Sequence, residues 1–276
     1  MMQQWLSTLI KDYINEYSRR NGCKSEWQEP LVGFVNAADA RFASLKESVS
    51  ATHALPADLL PDARTVIVYF IPFVEPIVTS NIQGDACSYE WAAAYIETNK
   101  LIFDLNTYLR EQLQGQGYAS CLIPATHNFD EVKLISDWSH RHIAILAGLG
   151  TFGLNNMLIT EKGCCGRVGS LITNAVVAPT EPLSQENCLY KHGGLCQKCI
   201  NQCPEQALTL AGFDRQKCYS AKCLENAKIY RELGVADACG KCLVNVPCSR
   251  RNPARSLSGK TPKGQAQQGN GALASL

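Results

Sequence analysis

At 276 residues the chain can bury a sizeable hydrophobic core, as one large domain or as two smaller ones. Its 26 basic and 25 acidic residues leave a formal net charge of +1, which argues against a nucleic-acid or membrane surface built on bulk electrostatics. The first residues are amphipathic with early charges, unlike a secretory leader, and no apolar run approaches the roughly 20 residues a bilayer demands. A cytoplasmic protein with no membrane partner is expected.

Residues 1–20 carry Trp5, Leu6, Leu9, Ile10, Tyr13 and Ile14 at helical spacing, which predicts a helix. The β-branched and aromatic run from Thr65 to Ile71 reads as a buried strand ended by Pro72. Ser88 is placed to cap a helix running to about Leu113, with Ile102, Leu105, Leu109 and Leu113 as its stripe. Gly115 and Gly117 stop it. Residues 119–124 read as a short strand. A second helix is expected from about Asp130 to Ala147, with Leu134, Ile135, Trp138, Ile145 and Leu146 on its apolar side. Two strand-like runs, MLIT and RVGSLITNAVV, follow around a turn at EKGCCG. Residues 188–250 are cysteine-rich with short helical pieces such as Leu224 to Leu233. The last residues are rich in Gly, Gln and Ala, the composition of a disordered tail. The pattern is α+β: an α/β core domain over 1–182, a cysteine-rich domain over 183–256 and a tail over 257–276.

Of the 14 cysteines, only Cys23, Cys87 and Cys121 precede residue 160. These three read as small buried apolar residues. Cys164 and Cys165 fall in the EKGCCG turn, as ligands, as exposed thiols or, the plainer reading, as structural turn residues. The run Cys196-x-x-Cys199-x-x-x-Cys203-Pro204 has the spacing of a loop that wraps a 4Fe–4S cube. In two-cluster proteins the cysteine before the proline ligates the other cube. A full bacterial motif places a cysteine where Gly193 stands, and Cys188 is the natural replacement. A second group holds Cys218, Cys223, Cys239, Cys242 and Cys248. With the exchange, Cys188, Cys196, Cys199 and Cys248 would hold one cube. Cys203, Cys218, Cys239 and Cys242 would hold the other, with Cys223 as the rival to Cys218. Structural zinc also uses paired C-x-x-C knuckles. Here about 40 residues separate the pairs, longer than a zinc-ribbon interval, and zinc has no use for the C-x-x-x-C-P turn. Two 4Fe–4S clusters are therefore expected, and with them electron transfer.

Gly148-Leu-Gly150-Thr-Phe-Gly153 fits G-x-G-x-x-G, but a helix is expected before it and a strand after it. That order is the reverse of a dinucleotide site, and no acid lies between Lys162 and Thr180. The glycines instead allow close backbone approach, between elements or to a flat cofactor. Just upstream, His140, Arg141 and His142 cannot all face a core. Either the helix end and the glycine turn line a pocket, or this is a solvated face with one satisfied core histidine. His127, Asn128 and Asp130 stand near the same place, Asp130 alternatively as a helix N-terminal charge.

The stretch Ala147-Gly-Leu-Gly-Thr-Phe-Gly-Leu-Asn155 resembles the A-G-L-G-W-I-G-K-N of the epoxyqueuosine reductase family and, more distantly, the reductive dehalogenases. The strand TVIVYFIPF precedes it, and a strand pair and the cysteine groups follow in the same order, so the resemblance covers residues 55–250. It implies a nitroreductase-like, cobalamin-binding α/β domain coupled to a ferredoxin-like double 4Fe–4S module. It implies an oxidoreductase that passes electrons through two clusters to a corrinoid over the glycine turn, with Gly148, Leu149, Gly150, Gly153 and Asn155 binding the cofactor. A flavin is the alternative cofactor. His127, Asp130, His140 and Arg141 are the candidates for proton donor or anchor. The family's tryptophan is Thr151 here and its lysine is Leu154. Its D-x-G-P-x-x-E-R stretch lacks a clean counterpart: the arginine falls on Arg141, the glutamate on His140 and the aspartate on Leu134. The implied partners are a low-potential donor such as ferredoxin or flavodoxin and a small-molecule or modified-base substrate. The family's C-terminal helical repeats, which help hold tRNA, have no counterpart, so tRNA is not the expected partner. Two rivals stand beside this reading. One is an electron-transfer protein or reductase that serves a separate corrinoid or flavin protein and has no pocket of its own. The other is a zinc-stabilised interaction module.

Overall fold

The computed structural model describes residues 1–125, 129–194 and 196–257. Its centre is an antiparallel sheet of β1 (Leu31–Asn36), β2 (Thr65–Pro72), β8 (Gly166–Thr173) and β3 (Ser120–Leu122), in that spatial order. The expected strand at 65–71 is the middle of this sheet and includes Pro72. It is apolar throughout because both of its faces are covered. Ile67, Tyr69 and Ile71 pack with α1 (Met2–Asn21) and α2 (Tyr89–Gly115). Val66, Val68 and Phe70 pack on the other side with α3 (His140–Leu146). The edge strand β1 carries no turn signals strong enough to mark it in the sequence.

Both long helices have the ends their sequences call for. The Oγ of Ser88 accepts the Trp91 backbone N–H at 3.1 Å, capping α2. α1 stops at Gly22, whose φ of 61° is the left-handed conformation that terminates helices.

The expected helix over 130–147 is a correction: only His140–Leu146 is helical. Residues before it form a hairpin of β4 (Phe129–Asp130) and β5 (Ile135–Ser136). The Asp130 carboxylate causes the break. Its Oδ1 accepts the backbone N–H groups of Val132 at 2.9 Å and Lys133 at 2.7 Å, and Leu134 takes a φ of 54°. A short acid that bonds its own backbone competes directly with helix propagation.

After α3 come β6 (Gly150–Phe152) and β7 (Leu158–Thr160), paired antiparallel, then the EKGCCG turn into β8. The cysteine-rich segment has four short helices: α4 (Leu189–Gly193), α5 (Lys198–Asn201), α6 (Arg215–Cys218) and α7 (Leu224–Ile229). α7 begins where expected, after a five-residue π turn at Tyr219–Cys223, but ends at Ile229, because Tyr230 leaves the helical conformation and the chain continues in a turn closed by the Leu233 N–H on the Tyr230 carbonyl at 2.9 Å. A third core joins this segment to the start of α2, through Phe73, Cys87, Trp91, Ala236, Leu243 and Val244. At that seam Gly240, with φ 75°, lies flat against the Trp91 ring and has no room for a Cβ. Among the described residues no helix is long and apolar enough to cross a membrane. The expected tail beyond residue 257 lies outside the described residues.

Leu105 is fully buried between α2 and the sheet. Leu105→Ala should cost about 2–5 kcal/mol, read as a lower midpoint in chemical denaturation with an unchanged slope.

Candidate functional site: two thiol groups and a cationic cleft

Cys188, Cys196, Cys199 and Cys248 line one small cavity. Its other walls are mostly apolar, from Leu154, Ile159, Leu189, Val246 and Pro253. Cys188 precedes α4 and Cys199 lies in α5. Cys248 sits in a loop pinned by Ser249, whose Oγ accepts the Val246 N–H at 3.0 Å and donates to the Leu243 carbonyl at 2.7 Å. Burial pushes the Cys199 thiol up to about 12, and the nearby Cys248, Cys188 and Cys196 add to the rise. Thiolates crowded this closely repel one another, and a bound cation is what would relieve that repulsion.

The second group gathers around Cys242. Burial raises its pKa, and so do Cys239, Cys218 and Cys203 beside it. Burial likewise pushes Cys239 up to about 11. Cys203 already accepts a hydrogen bond from the Ala207 N–H at 3.3 Å. The Cys203-Pro204 turn is tied to the π turn by Lys222 and Glu205, 2.9 Å apart. Cys218 and Cys223 touch: the hydrogen bond between them lowers Cys218 and raises Cys223. Lys241 is buried beside this group, and its Nζ donates to the carbonyls of Asn81 at 2.9 Å and Gln83 at 2.7 Å. Among the described residues, no three His, Cys, Asp or Glu side chains close around one point as a single metal ion requires.

A larger cleft of about 790 Å³ opens between the β4–β5 hairpin, α3 and the start of α6. Arg141, His142, Arg215, Phe129 and Phe213 line it, and no Asp or Glu among the described residues does. The Arg141 Nη1 donates to the Asn156 carbonyl at 2.6 Å. Burial disfavours its charge, and the nearby Arg167 and Arg215 disfavour it further. A guanidinium keeps its proton regardless, so the cleft is held in a state that an anion would relieve. His142 Nδ1 lies 2.7 Å from the Ser139 hydroxyl, while its Nε2 is buried with no hydrogen-bond partner. Burial, with Arg141 nearby, pushes this imidazole down to about 3.

An epoxyqueuosine reductase of Synechocystis sp. is 29% identical over 188 residues, which cover 65% of this chain and 58% of that protein. The chain is similar to the epoxyqueuosine reductases. A Bacillus cereus protein of the same name is 29% identical over 59% of this chain and 41% of its own length. The chain thus spans about half the length of the curated relatives it matches. A tetrachloroethene reductive dehalogenase of Desulfitobacterium hafniense is 38% identical over 71 residues, only 12% of that protein. The mixed α and β fold is also that of solved epoxyqueuosine reductases. The one from Bacillus subtilis has a TM-score of 0.52 at 19% identity, over 89% of this chain and 67% of that one. Another, solved with an epoxyqueuosine-modified tRNA stem loop, has a TM-score of 0.52 at 18% identity, over 90% and 70%. No protein-family model matches the chain.

The candidate residues divide. Arg141 lines the cleft. His127 lies outside the described residues, as does Asn128. Asp130 is exposed at the hairpin, where its carboxyl is held low by the N–H groups of Lys133 and Val132 and caps no helix. His140 sits inside the fold with both ring nitrogens engaged. Its Nε2 donates to the Pro124 carbonyl at 2.9 Å, so Nδ1 accepts from the Ser170 hydroxyl at 2.8 Å. That hydroxyl in turn accepts the Trp138 indole N–H at 3.1 Å. Here the satisfied core histidine is the one the structure has.

The glycine turn is closed by the chain itself. A Cβ on Gly148 would overlap the Glu181 carbonyl, and one on Gly150 the Ile159 carbonyl. Gly153 lies against the Asn155 side chain and Leu149 against Gly33. Of the two roles open to these glycines, the described geometry has close approach between elements. Asn155 instead links the thiol groups: it borders the first cavity and donates to the Cys242 carbonyl at 3.2 Å. His142 and Arg215 were not singled out as site residues; only the His140–His142 cluster hinted at the former, and nothing in the sequence marks the latter. Cys164 and Cys165 are fully buried against Leu243 and the Cys248 loop, so they are not exposed thiols.

Burial holds His140 down at about 4, against an ordinary 6.5. The folded ring is neutral while the unfolded one charges, so its contribution is full above about pH 6.5 and fades as pH falls toward 4. Denaturation followed from neutral pH to pH 4 should show this decline, and His140→Gln should flatten it by about 3 kcal/mol.

Proposed function

We propose that the chain is an iron–sulfur oxidoreductase with a 4Fe–4S cluster at each thiol group and its reductive chemistry in the cationic cleft. One observation carries the reading: Cys248, distant in sequence from Cys188, Cys196 and Cys199, lines the same cavity as they do. The proposed division is a nitroreductase-like domain over 1–182 and a ferredoxin-like module over 183–256. When bound, the clusters would supply electrons one at a time.

The chain's own residues set the rest. Arg141 and Arg215 would hold an anionic group of the substrate or cofactor at the cleft, bidentate where it is a carboxylate or phosphate. Phe129 and Phe213 offer aromatic walls to a planar body. The neutral imidazole of His142 brings one unpaired ring nitrogen to this wall. A corrinoid or a flavin would seat in the cleft, since the glycine turn is covered at Gly148 and Gly150. A low-potential donor such as ferredoxin or flavodoxin would reduce the clusters, and the substrate would be a small molecule or a modified base. A tRNA-borne base is a second candidate, from the relative solved with a tRNA stem loop.

The alternative, an electron carrier for a separate corrinoid or flavin protein, has its own support. Leu134 stands where the family aspartate falls in an ungapped count, and it lines the cleft. An apolar side chain there gives no proton.

Anaerobic purification should yield about eight irons per chain, and Cys199→Ala should yield about four. Iron analysis of Cys218→Ala and Cys223→Ala should show the loss in only one of them, which identifies the ligand. Corrinoid bands retained through gel filtration would favour the enzyme, and their absence after reconstitution the carrier or a flavin. Zinc in place of iron would sink both.

A further inference from the structure

The turn between β7 and β8 lies directly under the Cys248 loop. The Cys164 N–H donates to the Cys248 carbonyl at 2.9 Å and to that of Ser249 at 3.2 Å. The Cys165 N–H donates to the Ser249 carbonyl at 3.1 Å. Gly163, with φ 85°, presses on Ser249 and Arg250 and has no room for a Cβ. Two chain segments are thus clamped together, and the Cys164 Sγ lies 4.0 Å from the Cys248 Sγ. Closing that gap to the roughly 2.05 Å of a disulfide is a movement of about 2 Å between side chains on segments already hydrogen-bonded to each other. The Cys165 Sγ lies 3.3 Å from the Leu243 carbonyl, which the Cys164 Sγ approaches at 3.9 Å, so Cys165 is the neighbour that competes with Cys248 for Cys164. Cys248 therefore faces the cavity on one side and a second thiol on the other.

We propose that Cys164 forms a disulfide with Cys248 when the first cluster is lost to peroxide. The geometry is independent of the cluster reading; the timing rests on it. Cys248 borders the cavity, so peroxide that enters it has access to this sulfur. Its sulfur takes one peroxide oxygen as the O–O bond breaks, giving a sulfenic acid and one water. The Cys164 sulfur then displaces that oxygen as a second water, so an S–S bond replaces two S–H bonds. In sum two thiols lose two electrons and two protons, and one hydrogen peroxide is reduced to two waters. The bridge keeps Cys248 from the irreversible sulfinic and sulfonic states, and a thiol reductant returns it as a ligand.

The test treats the iron-loaded chain with hydrogen peroxide, digests it without reduction and locates the linkage by tandem mass spectrometry. The expected result is a Cys164–Cys248 linkage with two hydrogens lost, kept in Cys165→Ala and absent from Cys164→Ser. After dithiothreitol, iron and sulfide, the wild type should regain its iron, whereas Cys164→Ser should lose the first cluster's share and show over-oxidised Cys248. Free thiols, a Cys248 sulfinate or a linkage to another cysteine in the wild type would overturn the proposal. The wild-type linkage decides even if Cys164→Ser fails to fold. A purified chain without iron defeats the cluster reading alone, since the metal-free chain given peroxide still forms the bridge or does not.

Discussion

The segment from Ala236 to Ser249 carries Cys239, Cys242 and Cys248 and has no helix or strand. Backbone carbonyls buried in such a loop must find donors, because an unpaired one costs about as much as a lost hydrogen bond. Side-chain amides supply them from every direction. Asn226 donates to Ala238 at 2.7 Å, Asn81 to Cys239 at 2.9 Å, Asn155 to Cys242 at 3.2 Å and Gln202 to Val244 at 2.8 Å. These donors come from the α/β core as well as from the cysteine-rich segment. The positions of Cys239, Cys242 and Cys248 thus depend on the whole fold, and the thiol cavity is a tertiary feature.

Charge completes the arrangement. Lys241 sits between two cysteines with its ammonium donating to backbone carbonyls, a positive charge that burial disfavours and that the nearby Cys239 and Cys87 favour. Arg141 does the corresponding work at the cleft: it is anchored to Asn156 by one nitrogen and is close enough to Cys242 to feel it. The cationic cleft and the second thiol group are therefore electrostatic neighbours. Negative charge gained on one side is felt on the other.

The elements with a simple period were legible. β2 and α2 are long, apolar on the expected positions and bounded by recognisable signals, and the cysteine spacing anticipated the four residues that meet in the first cavity. The failures have local causes. An apolar stripe from Leu134 to Leu146 hid a hairpin, because the bonds from Asp130 to its own backbone outweigh periodicity. The glycine run looks the same in sequence whether its close neighbour is a cofactor or the Glu181 backbone. Which of three adjacent polar residues meets the cleft depends on Ser170, thirty positions beyond His140, and no local pattern contains that partner. Arg215 reaches the cleft only through tertiary packing.

The contact between Gly240 and Trp91 has an optical side. An indole ring in van der Waals contact with the loop between Cys239 and Cys242 is an emitter placed at the seam between α2 and the cysteine-rich segment. Any broad-band absorber held by those cysteines would quench it, and any loosening of the seam would shift its emission toward that of a solvated indole. The chain thus carries a built-in fluorophore for the state of its second thiol group.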